Sequence, residues 1–79
     1  MKSLTEQAIL LALGQRIRES RHQRSISQEQ LADIAGVHRT YVGMVERGEK
    51  NVTVLTLARI ASALELNIED LIGGLDVGK

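Results

Sequence analysis

The stretch from Gln28 to Arg47, QEQLADIAGVHRTYVGMVER, constrains the fold of this chain more than any other. Small or apolar residues recur through it at helical spacing, and one glycine, Gly36, separates its two halves. The chain can reverse at Gly36 only if this residue takes a positive φ, which is costly for residues that carry a side chain. A small side chain at Ala32 lets two helices approach where they cross. The segment therefore predicts two short helices joined by a tight turn.

The remaining core must be built from aliphatic side chains. The 79 residues include no Cys, Pro, Phe or Trp and a single Tyr, so disulfides and thiolate metal sites are excluded. This length lies near the lower limit for folding on one hydrophobic core. We therefore expect a single domain over residues 1–79, with no cofactor and no bound metal. Because no apolar run reaches the ~20 residues of a membrane span and no secretory signal is recognisable, we expect a cytoplasmic protein.

Capping signals place the first two helices. The first is expected over about Thr5–Arg21, with Ser3 or Thr5 as its N-cap. Ser27 begins the second helix, and Gln30, three residues later, completes a capping box with it. The glycine at the turn then ends this helix. The helix–turn–helix motif is expected at about residues 28–47.

Three more helices follow from periodicity and from helix-breaking residues. The third is expected over about Arg39–Glu46, and residues 49–55 form a loop with some extended character. The fourth is expected over about Thr56–Leu64. Asn67 caps a fifth helix, which together with the glycine-rich tail occupies about residues 68–79. The prediction is an all-α bundle of five helices.

The charges are unevenly distributed, although their formal sum is zero. From Arg16 to Arg59, eight basic residues stand against five acidic ones, whereas from Ile60 onward four acidic residues stand against Lys79 alone. A basic middle is typical of chains that bind nucleic acid, and an acidic end fits a surface turned away from phosphate. Charges of both signs also simply solvate small domains, and this alternative suits the run Arg16, Arg18, Arg21 and Arg24.

Catalysis is not expected from this sequence. His22 and His38 are the only histidines, and no carboxylate stands at metal-ligand spacing with either. No glycine-rich phosphate loop follows a strand, and no nucleophile can be matched with a base and an orienting third group.

The helix order and the residues at each helix resemble a known family across roughly Arg16–Ile72. The segments SQEQLADIAGV, RTYVGMVERGEKN, VLTLARIASALEL and IEDLI resemble the Cro/repressor type of helix-turn-helix domain, in their order and their spacing. The resemblance implies a five-helix, lambda-repressor-like fold whose third helix lies in the major groove of DNA. RTYVGMVERGEKN in so short a chain also resembles the controller proteins of restriction–modification systems.

The resemblance assigns DNA contacts position by position. It implies that Gln28 contacts a phosphate and that Arg39 and Thr40 lead the reading of bases. Tyr41 and Met44 are then expected at the same groove or backbone surface. The loop after the third helix supplies four further expected phosphate contacts: Arg47, Lys50, Asn51 and Thr53.

Several of these assignments keep an alternative. Arg39 can form two hydrogen bonds to guanine O6 and N7, but it can also meet only phosphate. Thr40 suits a base edge or a phosphate equally, and Tyr41 suits a phosphate, a sugar or the core. Arg47 fits an ion pair with a neighbouring glutamate, and Gln28 also fits a plain first-turn residue. The other loop residues also fit an ordinary solvated loop: Lys50, Asn51 and Thr53. Gly43, expected at the same surface, either allows close groove approach or weakens the helix by up to roughly 1 kcal/mol.

The resemblance also implies an ion pair between Arg21 and Glu46. One recognition helix covers too few base pairs for selectivity in a genome, so we expect a homodimer on a palindromic operator. Its half-sites would lie about one helical turn apart. The expected dimer surface is on the fifth helix, at Leu71, Ile72 and Leu75, with plain core residues as the alternative.

The sequence thus predicts a transcriptional regulator that binds double-stranded DNA in a sequence-specific manner. The controller resemblance implies regulation of its own gene and of a linked endonuclease gene, with RNA polymerase as a further candidate partner. The alternatives are a phage-type repressor and a protein-binding module such as an antitoxin, which the near-neutral charge favours. The polar residues Arg39 and Thr40 favour DNA binding over protein binding, because a protein-binding surface is more often apolar at these positions.

Overall fold

The computed structural model describes residues 5–76, which contain five helices and no strands. The predicted five-helix, all-α architecture is confirmed. Ser3 and the end of the glycine-rich tail lie outside the described residues. The helices, in chain order, are α1 (Glu6–Gln23), α2 (Gln28–Ala35), α3 (Arg39–Glu46), α4 (Val54–Ala63) and α5 (Ile68–Ile72).

The turn between α2 and α3 has the predicted geometry. The Ser27 hydroxyl accepts a hydrogen bond from the Gln30 N–H at 3.0 Å, and the Gln30 side chain accepts one from the Ser27 N–H at 2.7 Å. Gly36 ends α2 with φ +74°, in the left-handed region that glycine adopts without strain. Ala32 is buried where the two helices meet. The entry and the exit of α2 are therefore fixed by local sequence.

The bounds of α1 and α4 differ from the prediction by about half a turn. Thr5 is the N-cap of α1, because its hydroxyl accepts the Ala8 N–H, and this helix continues to Gln23. Helix α4 begins at Val54, two residues earlier than predicted. Its N-cap is Thr53, whose hydroxyl accepts the Thr56 N–H at 3.1 Å. The expected loop is correspondingly shorter.

Helix α1 packs against α3 and α5, and helix α2 packs against α3 and α4. Helix α5 also packs against α4. The core is aliphatic, as the composition requires. The largest fully buried side chains are Ile17, Leu31, Val42, Val45, Ile60, Leu64 and Leu71. No helix within residues 5–76 is long and apolar enough to cross a membrane.

The burial of Leu71 corrects the predicted dimer surface. This side chain has no exposed area and belongs to the core of the single subunit, so it cannot also meet a second copy. Leu75 is half-buried against the same core, and Ile72 is 40% exposed. Arg16 holds this end of the chain, since its Nη1 donates to the carbonyl oxygens of Leu71 at 3.1 Å and Gly73 at 2.8 Å.

Helices α1 and α3 approach so closely that only a glycine fits between them. A Cβ atom on Gly14 would lie 2.5 Å from the carbonyl oxygen of Glu46, which is backbone and cannot move aside cheaply. The contact sets the distance of α3 from the longest helix of the bundle. Sequence periodicity gave no indication of it.

Candidate nucleic-acid interface

The N-terminal turn of α3 projects polar side chains into solvent. Arg39 and Thr40 are exposed, and the Arg39 Nη1 lies 3.6 Å from a carboxylate oxygen of Glu29 on α2. Both side chains of this ion pair are about two-thirds exposed, at 65% and 67%. Exposed pairs of this kind contribute at most about 1 kcal/mol, so the guanidinium can exchange Glu29 for another partner at little cost.

His38 caps α3 and so fixes the start of this helix. Its Nδ1 accepts the Thr40 N–H at 3.1 Å, which is the role that serine, threonine or aspartate usually plays at this position. The ring nitrogen can accept only while it carries no proton. From the sequence, His38 was considered only as a metal ligand. Its place directly before the predicted helix was the signal that could have identified the cap.

The remaining predicted contacts on α3 are less exposed than expected. Tyr41 is half-buried and packs against the hydrophobic core, while Met44 is half-buried. Gly43 is buried rather than open to a groove. A Cβ on it would lie 3.1 Å from Arg47 Nη1 and 3.5 Å from Gln28 Oε1, so these two side chains cover it. The glycine allows Gln28 and Arg47 to lie close together over the helix.

Gln28 belongs to a hydrogen-bonded network that links three helices. The ion pair expected between Arg21 and Glu46 is present: Nε donates to Oε2 at 2.8 Å and Nη2 to Oε1 at 3.1 Å. The Arg21 Nη1 also donates to the Ile26 carbonyl oxygen at 3.0 Å. Gln28 Nε2 donates to Glu46 Oε1 at 3.1 Å. Because a side-chain amide has two N–H groups, one remains for a phosphate oxygen.

The loop after α3 presents basic and polar side chains beside this network. Arg47 pairs with Glu49 through Nε–Oε2 at 3.0 Å, the alternative that the sequence left open, and both side chains are at least half exposed. Lys50 and Asn51 are exposed. The Thr53 hydroxyl contacts Thr56 Oγ1 at 3.0 Å and caps α4, so a phosphate would compete with that role.

Two residues of α1 hold this loop in place. Gln7 Nε2 donates to the Gly48 carbonyl oxygen at 3.1 Å, and Leu11 packs directly against Gly48. Gly48 has φ +74°, which lets the chain turn sharply out of α3. This contact between α1 and the loop was not predicted. Their contact is made across 41 residues of sequence and has no local signal.

We use the name α3 face for six polar side chains of α2, α3 and the following loop, all exposed except the half-buried Gln28: Gln28, Arg39, Thr40, Arg47, Lys50 and Asn51. It offers guanidinium, ammonium, amide and hydroxyl donors, the groups that bind phosphate oxygens and the acceptor edges of bases. Within residues 5–76, no group of three or more His, Cys, Asp or Glu side chains is arranged to hold a metal ion. The chemistry available on this face is hydrogen bonding and charge neutralisation.

The geometry agrees with comparisons to known proteins. The helix-turn-helix family model matches residues 17–71, and the chain belongs to this family. Among its relatives is control protein C.SmaI of Serratia marcescens, which is 48% identical over 60 residues, or 76% of this chain and 71% of that protein. Control protein C.BamHI of Bacillus amyloliquefaciens is 38% identical over 71 residues, or 89% and 88% of the two chains.

A solved structure supports the same assignment. The restriction-modification controller protein C.AhdI from Aeromonas hydrophila superposes with a TM-score of 0.77 and 44% sequence identity. The match covers 78% of this chain and 94% of that one. The predicted resemblance to the repressor-type helix-turn-helix family and to restriction–modification controllers is confirmed.

Proposed function

We propose that this protein is a transcriptional regulator that binds double-stranded DNA sequence-specifically, as a controller of a restriction–modification system. Its targets are then its own promoter and that of a linked endonuclease gene. The observation that carries the proposal is the exposed pair Arg39 and Thr40 at the start of a helix that the turn, the His38 cap and the buried ion pair hold rigidly. A rigid base-reading element is what sequence discrimination requires.

In the proposed complex, the N-terminal end of α3 enters the major groove. Arg39 leaves Glu29 and donates two hydrogen bonds to guanine O6 and N7, which is worth about 1–3 kcal/mol of discrimination. Thr40 meets the neighbouring base edge through its hydroxyl or its methyl group. Tyr41 and Met44, being half-buried, reach DNA only with the exposed edge of each side chain. They contribute van der Waals contacts with DNA more than hydrogen bonds.

Backbone contacts position this reading helix. The free N–H of Gln28 and the side chains of Arg47, Lys50 and Asn51 bind phosphate oxygens on either side of the groove. Thr53 contributes at the start of α4 and gives up its hydrogen bond to Thr56 in doing so. Each basic contact releases condensed counterions, so binding weakens as salt rises.

The active form in this proposal is a homodimer that binds a palindromic operator in the cytoplasm. One α3 reads only a few base pairs, and two copies reading half-sites about one helical turn apart supply the missing selectivity. RNA polymerase is the proposed further partner where the regulator activates. The protein acts by binding alone and is not an enzyme.

Selection of bound duplexes from a random DNA pool at moderate salt tests the proposal. The expected result is an inverted pair of short motifs containing guanine, at a spacing near one helical turn. Lack of enrichment over the starting pool would contradict sequence-specific binding. Enrichment of a single unpaired motif would support DNA reading but contradict the palindromic operator.

A further inference from the structure

The five helices differ in the chemistry of their N-caps. Helix α3 begins at the imidazole of His38, whose Nδ1 accepts the Thr40 N–H at 3.1 Å. The other four begin at a hydroxyl or an amide side chain: Thr5 for α1, Ser27 for α2, Thr53 for α4 and Asn67 for α5. Among side chains, imidazole is the one that ordinarily gains a proton between about pH 5 and 8. Within residues 5–76, the start of α3 is therefore the one helix start whose cap can be protonated in this range.

A proton on Nδ1 turns this cap from an attraction into a repulsion. Neutral His38 accepts the Thr40 N–H through the Nδ1 lone pair and carries its ring proton on Nε2. Once protonated, both ring nitrogens are donors, so an N–H of the ring would face the N–H of the backbone. The imidazolium charge would also lie at the positive end of the α3 dipole, where the first turn contains no acidic residue. The capped turn excludes this proton and is weakened as the pH falls.

The charged groups of α2 and α3 near this cap do not titrate with it. Arg39, the next residue along α3, adds a second positive charge, and Glu29 of α2 lies 3.6 Å from its guanidinium. Asp33, the other carboxylate of α2, is exposed and forms no ion pair with any residue between 5 and 76. Carboxylates and guanidinium groups ordinarily keep their charge across the range in which imidazole titrates. The change in charge at this end of α3 is therefore that of His38.

Helix α1, which also packs against α3, acts at the opposite end of that helix. Arg21 of α1 pairs with Glu46, the last residue of α3, at 2.8 Å. His22, the second histidine of the chain, lies in the last turn of α1 and lines a groove with Glu46. An imidazole at this position can gain a proton in the same pH range without touching the cap. His22 therefore provides a matched control for His38.

The residues that depend on the cap are the proposed base readers. Arg39 and Thr40 are the first two residues of α3, and Thr40 supplies the N–H that the cap holds. Both side chains are exposed, so the backbone of this turn sets where they point. The proposed phosphate contacts are held elsewhere, Gln28 by Glu46 and the loop after α3 by α1. Loosening of the first turn of α3 therefore affects base reading and leaves the backbone contacts in place.

We propose that His38 is a positioning residue that makes base reading depend on pH. Neutral His38 holds Arg39 and Thr40 in the geometry that reads bases. Protonation of His38 loosens the first turn of α3 and adds a positive charge that attracts phosphate. The protein then loses its preference for the operator, while its nonspecific affinity for DNA is kept or increased. The effect on DNA rests on the proposed function, whereas the effect on the first turn does not.

Affinities for operator and scrambled duplexes at about pH 7.5 and about pH 5.5, at constant salt, test the proposal. For the wild type, the ratio of the two affinities should fall by about fivefold per half-site at the lower pH, the size expected for the loss of one N-cap. His38→Asn keeps an acceptor that gains no proton in this range, so its ratio should be high at both pH values. His38→Ala lacks the cap, so its ratio should be low at both. His22→Asn should respond to pH as the wild type does.

Three outcomes of this experiment would overturn the proposal. The first is a wild-type ratio that stays constant between the two pH values. The second is a His38→Asn ratio that falls at the lower pH as the wild-type ratio does. The third is a His22→Asn ratio that no longer depends on pH, because the response would then belong to the end of α1.

Two-dimensional NMR of the protein without DNA separates the cap from the proposed function. As the His38 ring titrates, the Thr40 amide signal should shift with the same midpoint. The Thr56 amide, which a hydroxyl caps at the start of α4, should not follow this titration. A Thr40 amide that does not follow the His38 ring would overturn the proposal whatever the DNA result. If Thr40 follows the ring but the wild type prefers no duplex at either pH, the proposed function fails and the pH-dependent cap is retained.

Discussion

Arg21 and Glu46 form a buried, two-pronged ion pair that fastens the end of α3 to α1. The Nε–Oε2 distance is 2.8 Å and the Nη2–Oε1 distance is 3.1 Å, with the side chains 10% and 3% exposed. Glu46 also accepts the Gln28 amide, so the same carboxylate orients a proposed phosphate contact. The pair therefore links the stability of the bundle to the geometry of the α3 face.

Arg21→Met should destabilise the protein strongly. It leaves the Glu46 carboxylate buried without its charged partner, which typically costs 3–5 kcal/mol, about the size of a small domain's stability. Urea unfolding followed by circular dichroism measures the loss. Arg47→Met is the matched control, because it breaks an exposed pair and should cost at most about 1 kcal/mol. Equal losses in the two variants would show that the buried pair has no special role.

Gly14→Ala should destabilise the bundle by about 1–3 kcal/mol, although alanine is the better helix former. The added methyl group meets the Glu46 carbonyl oxygen at 2.5 Å, so α1 and α3 must separate. Gln15→Ala, on the exposed side of the same helix, should change the free energy of unfolding by less than about 0.5 kcal/mol. An unchanged or higher stability of Gly14→Ala would contradict the close approach.

His38→Ala should lower stability by about 1 kcal/mol, because the Thr40 N–H loses its acceptor at the start of α3. His38→Asn restores an acceptor suited to this position and should recover the loss. Thermal unfolding of the three proteins at neutral pH provides the comparison. If asparagine is as destabilising as alanine, the side chain stabilises the protein by some contact other than the cap.

Lys50→Ala should weaken binding to all DNA sequences alike and reduce the slope of log K against log salt by about one. Lys50→Arg keeps the charge and should keep the slope. Titrations of operator and scrambled duplexes at several salt concentrations measure both effects. A loss confined to the operator would assign Lys50 to base reading rather than to a phosphate.

Local sequence was sufficient to predict the helix–turn–helix core. The capping box at Ser27, the left-handed Gly36 and the bounds of α3 depend on residues within a few positions of each other, so a linear pattern contains them. The start of α4 was predicted two residues too late. Val54 is β-branched, and both Val54 and Leu55 are exposed apolar residues, a pattern that is also typical of an extended loop. The N-cap hydroxyl of Thr53 fixes the start of α4, whereas the family resemblance had implied a phosphate contact for Thr53.

Burial and long-range contacts could not be predicted in the same way. Helix α5 has five residues, little more than one turn, so periodicity cannot distinguish the buried Leu71 from the exposed Ile72. Gly43 was expected at an open surface, but Arg47 and Gln28 fold over it. Arg16 belonged to a run interpreted as solvated charge, yet it holds the C-terminal end of α5 across 55 residues of sequence. Each outcome depends on tertiary packing.

Base reading by Arg39 is tested most directly by the affinity of Arg39→Ala for the selected operator and for a scrambled duplex, measured by fluorescence anisotropy at one salt concentration. We expect the preference for the operator to fall by about 1–3 kcal/mol per half-site, while nonspecific binding and the fold persist. Gln15→Ala, on the exposed side of α1, is the control and should leave the preference unchanged. An undiminished preference for the operator in Arg39→Ala would contradict base reading by the N-terminal turn of α3.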